Sequence, residues 1–112
     1  MLIIKPELFD VVELLIDLPE HNLQAGVRGA IVEEYANQHY EIEFTNRDGE
    51  TLVLTTLAIH QFVVVWRATT KTWVPVAEKI EALVASLSEE TRLEVFDFAR
   101  FIYSRRQGYP QS

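Results

Sequence analysis

The 112-residue chain carries ten Lys and Arg against seventeen Asp and Glu, a formal charge of −7, with 48% hydrophobic residues, 11% aromatic residues and no cysteine. That composition excludes intrinsic disorder, and the length suits a modest core hiding roughly 65% of the unfolded surface. It also excludes a disulfide framework, a thiolate metal site and a cysteine nucleophile, so a reducing, cytoplasmic setting is expected.

The first apolar segment admits two readings. Leu8, Val11, Val12 and Leu15 fit helical spacing after Pro6, yet residues 11–16 also suit a strand. Residues 11–18 are interrupted by Glu13 and Asp17 and read as neither a signal peptide nor a membrane span. Residues 27–35 read as a strand led into by Gly26 and Gly29, where a bend accounts for the glycines. From Tyr40 to Thr45 the alternation is strict, with Tyr40, Ile42 and Phe44 on one face and Glu41, Glu43 and Thr45 on the other. Asn46-Arg47-Asp48-Gly49 supplies turn chemistry, and Leu52 and Leu54 resume the alternation, so residues 39–56 form a predicted β-hairpin. Phe62-Val63-Val64-Val65-Trp66 has no polar interruption, as expected of a strand covered on both sides. Five short strands at this spacing suggest a small barrel, which removes exposed edges by closing.

Residues 68–74 read as a linker, after which the period changes to that of a helix. Pro75 suits a first helical turn, and Val76, Ala77, Ile80, Leu83, Val84 and Leu87 fall within about 120° of arc, a one-sided amphipathic helix. Ser88 caps a second helix, with Glu89 and Glu90 near its positive end, Arg105 and Arg106 near its negative end, and Gly108 and Pro110 to stop it. The short interval between them favours an antiparallel helical hairpin. The expected organisation is a barrel over residues 1–67, a linker over 68–74 and a helical hairpin over 75–112.

The second helix is the most informative segment. Phe101, Phe98, Ile102, Val95, Ala99, Tyr103 and Phe96 spread over roughly 220° of its circumference, wider than one neighbour can cover. Three arrangements fit: the first helix and the barrel cover the two sides, another protein covers part of the face, or a second copy does.

Chemical motifs are sparse. His21, His39 and His60 lie eighteen and twenty-one residues apart without a metal-ligand spacing. Ser86, Ser88, Ser104 and Ser112 have no nucleophile-elbow glycines around them. Glu33, Glu34, Glu41 and Glu43 could pair as acid and base, but alternating strand glutamates are the solvated face of a sheet. Gly26-x-x-Gly29 lacks the remaining residues of a phosphate cradle, and Trp66 and Trp73 read as core and linker anchors. Residues 1–50 hold eleven acidic and three basic side chains, a balance of −8, against +1 for residues 51–112, which disfavours nucleic acid as a partner.

Two family resemblances add to these readings. Phe9-Asp10-Val11-Val12, Leu18-Pro19-Glu20, Leu23-x-x-Gly26-x-x-Gly29-x-Ile31-Val32-Glu33, Tyr40-Glu41-Ile42-Glu43-Phe44, Asp48-Gly49 and Leu54-x-x-Leu57 resemble the bacterial family called domain of unknown function 4926. The resemblance implies an SH3-like barrel with residues 8–16 as a strand, and a role near toxin-like genes. Ile80-x-x-Leu83-x-x-x-Leu87, Glu89-Glu90 and Glu94-Val95-Phe96-Asp97-Phe98-Ala99-x-Phe101-Ile102 resemble domain of unknown function 2281, whose members include VapB-type antitoxins. The chain departs from a typical antitoxin in having no ribbon-helix-helix or AbrB-like DNA-binding segment.

The expected protein is therefore α+β, a five-stranded SH3-like antiparallel barrel followed by a C-terminal helical hairpin. Its expected role is non-enzymatic and antitoxin-like, binding an RNase-type toxin through Val95, Phe98, Phe101, Ile102 and Arg105, with no metal, cofactor, nucleic acid or membrane. The alternative is a structural homo-oligomer assembled through the helices.

Overall fold

The computed structural model describes residues 5–107. Strands β1 (Val11–Leu14), β2 (Arg28–Tyr35), β3 (His39–Thr45), β4 (Thr51–Ala58), β5 (Phe62–Arg67) and β6 (Thr72–Trp73) precede helices α1 (Val76–Ala85) and α2 (Glu89–Gln107). The strands form one antiparallel sheet in the order β4-β3-β2-β1-β5-β6. The class is α+β.

Alternation in β3 becomes burial: Tyr40, Ile42 and Phe44 are buried while their neighbours are not. The turn into β4 is built by Asn46, whose Oδ1 accepts from the Asp48 and Glu50 amides at 2.9 and 3.0 Å, and by Gly49 at φ +82°. The segment with two readings resolves as a strand. β1 lies between β2 and β5, bonded to both, and its Val12 and Leu14 are buried. Two ladders satisfy its backbone on both edges, which a four-residue helix could not do.

Gly29 stands opposite Val12 in the β1–β2 ladder. A Cβ there would come within 2.8 Å of the Glu43 carbonyl oxygen and 2.9 Å of the Phe44 ring. Close packing against β3 therefore demands this glycine, rather than the bend expected from sequence. The core gathers Val12, Leu14, Ile31, Ile42, Phe44 and Val64 with Leu18, Leu23, Leu57, Phe62 and Val74, and Tyr40 meets Phe62 edge-to-face at 5.7 Å. Each such side chain, once fully buried, contributes about 1.5–3 kcal/mol.

Two expectations are corrected. The barrel is neither five-stranded nor closed: β4 and β6 stand at opposite ends of the sheet, and no ladder joins them among the described residues. The sixth strand arises inside the expected linker, where Trp73 pairs with Trp66 and Thr72 with Arg67. Two residues are too few to carry a period, so β6 has no signature in the sequence.

Asp10 fastens the sheet's start to its end. It is 3% exposed, and its Oδ2 accepts from the Glu7 amide at 3.0 Å while Oδ1 accepts from the Ala68 amide at 2.8 Å. Its own carbonyl accepts from Ile31, so one residue joins three segments of chain.

The chain divides into two compact units, Met1–Ala82 and Leu83–Ser112, with the boundary inside α1. In the first unit the buried Val74 donates to the Val65 carbonyl, and the Pro75 carbonyl accepts from Glu78 and Lys79. Glu78 pairs with Arg67 at 3.5 Å, and Ala82 packs against the core. Glu78 and Ala82 share one side of α1 at helical spacing, and Val76 and Ile80 on the other side are exposed. Of the expected apolar stripe, Val76, Ala77, Ile80 and Leu83 are exposed, and Val84 and Leu87 are half-buried.

In the second unit the Ser88 hydroxyl accepts from the Thr91 amide at 3.2 Å, completing the predicted cap. Arg92 reaches back to the last turn of α1, its Nε donating to the Val84 carbonyl at 2.9 Å and Nη2 to the Ala85 carbonyl at 3.0 Å. It thereby satisfies two helix-terminal acceptors with a positive charge. Gly108 and Pro110, expected to stop α2, lie outside the described residues.

Candidate functional site

The surface with most to offer chemically is α2 itself. Val95 and Ile102 are half-buried on one line of the helix, and aromatic side chains flank them on both sides. On one flank Phe98 is 65% exposed and Phe101 58%; on the other Leu93, Phe96 and Tyr103 are equally open. Arg105 is exposed, with its guanidinium over the Phe101 ring at 5.4 Å from the centroid. Arg100 lies similarly over Phe96 at 5.5 Å and pairs with Asp97 at 3.0 Å. These exposed contacts are individually weak, but they hold cations along the rims of apolar strips.

All five residues expected to bind a partner, Val95, Phe98, Phe101, Ile102 and Arg105, therefore lie on α2. The half-buried pair is central, and the two phenylalanines and the arginine are more open. Leu93 extends the opposite flank, and its addition was missed because its angle falls beyond the apolar arc counted from sequence. The arrangement offers rings, aliphatic groups and guanidinium groups, with the carboxylates of Glu94 and Asp97 beside them.

The sheet unit shows its own surface features. Arg28 pairs with Glu13 at 3.6 Å and lies over the exposed Trp73 ring at 5.3 Å, so the tryptophan read as a linker anchor is a strand residue stacked by a cation. Phe9 is exposed with φ +73°, a conformation costly for a bulky residue, and its amide donates to the Ile31 carbonyl at 2.8 Å. On the β2–β3 hairpin the Tyr35 hydroxyl donates to Glu41, and this bond, with smaller effects of burial and of the Glu41 and Glu33 charges, raises the phenol above its usual 10.0. Burial, assisted by the Glu34 charge, raises Tyr40 as well.

Among the described residues no three His, Asp or Glu side chains converge to hold a metal ion, and no helix is long and apolar enough to cross a membrane. A family model described as domain of unknown function, DUF4926, matches residues 8–64. The match ends within β5 and includes neither helix. No curated protein and no solved structure matches the chain.

Proposed function

We propose, for a chain that belongs to the DUF4926 family, a non-enzymatic role in the cytoplasm: an antitoxin-like protein whose helix α2 docks onto another polypeptide. The observation that carries this reading is the exposure of Phe98 and Phe101 on a helix that also bares Leu93, Phe96 and Tyr103. Water-exposed aromatic rings on both flanks of one helix fit a protein-docking surface, and aromatic anchors dominate interface energetics. The toxin as partner rests on the likeness of residues 80–102 to domain of unknown function 2281 and on charge. An RNase needs a basic surface for its substrate, and a sheet domain whose first 50 residues carry −8 is attracted to such a surface.

The test is co-expression with the protein encoded beside this gene. The pair is expected to co-purify, the neighbour's RNase activity to fall in the complex, and Phe98→Asp to abolish capture while leaving the circular dichroism spectrum unchanged. Failure of the native pair to associate, or a Phe98→Asp chain that unfolds, overturns the docking role of this face.

A further inference from the structure

The flank of α2 that bears Phe98 and Phe101 is bounded by a glutamate on one side and an arginine on the other. Glu94, Phe98, Phe101 and Arg105 follow one another at intervals of four, three and four residues. At 100° per residue the four fall within about 60° of arc, a straight row some 16 Å long on the helix surface. Those intervals are the alternation of a coiled-coil seam, in which antiparallel helices set each residue of one type against the other type across the interface.

The row is its own complement. Turned end for end, it places Glu94 against Arg105, Phe98 against Phe101, Phe101 against Phe98 and Arg105 against Glu94. We propose that this row is the seam of a two-fold homodimer, in which α2 of a second copy lies antiparallel along it. A two-fold interface requires one surface patch to be complementary to itself, and this row satisfies that requirement in both shape class and charge. Parallel pairing is disfavoured, because it would set Glu94 against Glu94 and Arg105 against Arg105. The helix ends agree: antiparallel pairing brings the acidic first turn, Glu89 and Glu90, toward the basic last turn, Arg105 and Arg106, of the other copy.

Among the described residues, neither charge at the ends of the row is engaged in an ion pair of its own chain, as is also true of Glu90 and Arg106. Arg92 and Arg100, by contrast, are paired within the chain to Glu89 and Asp97. Arg105 instead rests over Phe101, at the height where the second copy's Glu94 arrives. The inference rests on the reading of α2 as a docking helix and names the occupant of its Phe98–Phe101 flank; a toxin then meets the paired helices as a unit.

Sedimentation velocity of the full chain over a concentration series, with circular dichroism as the check on folding, tests the seam. The native chain is expected to dimerise. Glu94→Arg and Arg105→Glu, each converting two opposite-charge contacts to like-charge ones, are expected to weaken the dimer by about tenfold or more. The double variant E94R/R105E is expected to recover to within about threefold of the native chain, since the reversed pairs attract again. A native chain that stays monomeric overturns the proposal, as does a folded double variant that fails to recover. A monomeric chain that still captures the co-expressed neighbour sinks the self-pairing alone. A dimer obeying the charge swaps that captures no neighbour upholds the seam and removes the toxin.

Discussion

In the sheet, hydrophobic side chains from Val12 to Val74 are buried and interlock, whereas no residue between 76 and 106 is buried. The same residue types stand on both sides of this divide. Phe44 is 2% exposed between β3 and its neighbours, and Phe98 is 65% exposed on α2. What differs is the source of stability. The strands are held by tertiary packing, while α2 is held by its Ser88 cap, by Arg92 on the last carbonyls of α1, by exposed i,i+3 ion pairs and by its own backbone bonds. Most helical stability in proteins comes from packing an apolar face, so a helix with so many open rings gains most from a covering partner.

The comparison breaks most visibly at the two phenylalanines. Phe44→Ala is expected to cost the sheet about 3–5 kcal/mol in urea unfolding, through lost burial and the cavity left behind. Followed by the fluorescence of Trp66 and Trp73, which report on the sheet, Phe98→Ala is expected to shift that unfolding by less than about 0.5 kcal/mol. Equal losses would mean that the helical unit is part of the same core. The Asp10 fastening comes next. Asp10→Ala removes the acceptor for two amides, one of them 58 residues away, and is expected to cost about 1–3 kcal/mol, measured in the same way.

The smallest effect is that of pH on two tyrosines of the sheet. Tyr35 and Tyr40 hold their phenolic protons more tightly when folded. Their contribution to stability is therefore complete below the unfolded value of 10.0 and is lost as pH rises through the higher folded values. Spectrophotometric titration should show these phenols ionising after free tyrosine, and Tyr35→Phe should remove one late step. A Tyr35 that ionises at the ordinary pH would show that its bond to Glu41 does not persist in solution.

Much of this division was legible in the residues. Strict alternation in β3, the Asn46–Gly49 turn, the uninterrupted run of β5 and the Ser88 cap are all local signals, and each places a local structure. The signals that failed depend on distant chain. β1 is too short for periodicity to choose between helix and strand, and only its two ladders decide. β6 exists because β5 offers an edge, and the reason for Gly29 lies on β3. That Ala82 and Glu78 are the α1 residues meeting the first unit's core and Arg67 likewise depends on distant chain, since the apolar stripe of the helix names no partner. For the candidate site, the arc of aromatic residues on α2 could be read from helical spacing, whereas the cation over Phe101 and the unpaired ends of the row required side-chain positions.

The carboxylate of Asp10 also settles how little of this polypeptide can be cut away. Its distal amide belongs to Ala68, beyond the segment 8–64 that defines the family and just before the strand contributed by Thr72 and Trp73. A fragment trimmed to the family boundaries would leave the buried Asp10 carboxyl oxygens without their amide donors and bare an unprotected edge on β5. The smallest portion able to stand alone is thus longer than its sequence kinship suggests, and truncation experiments on relatives should begin upstream of Glu7 and end beyond Val74.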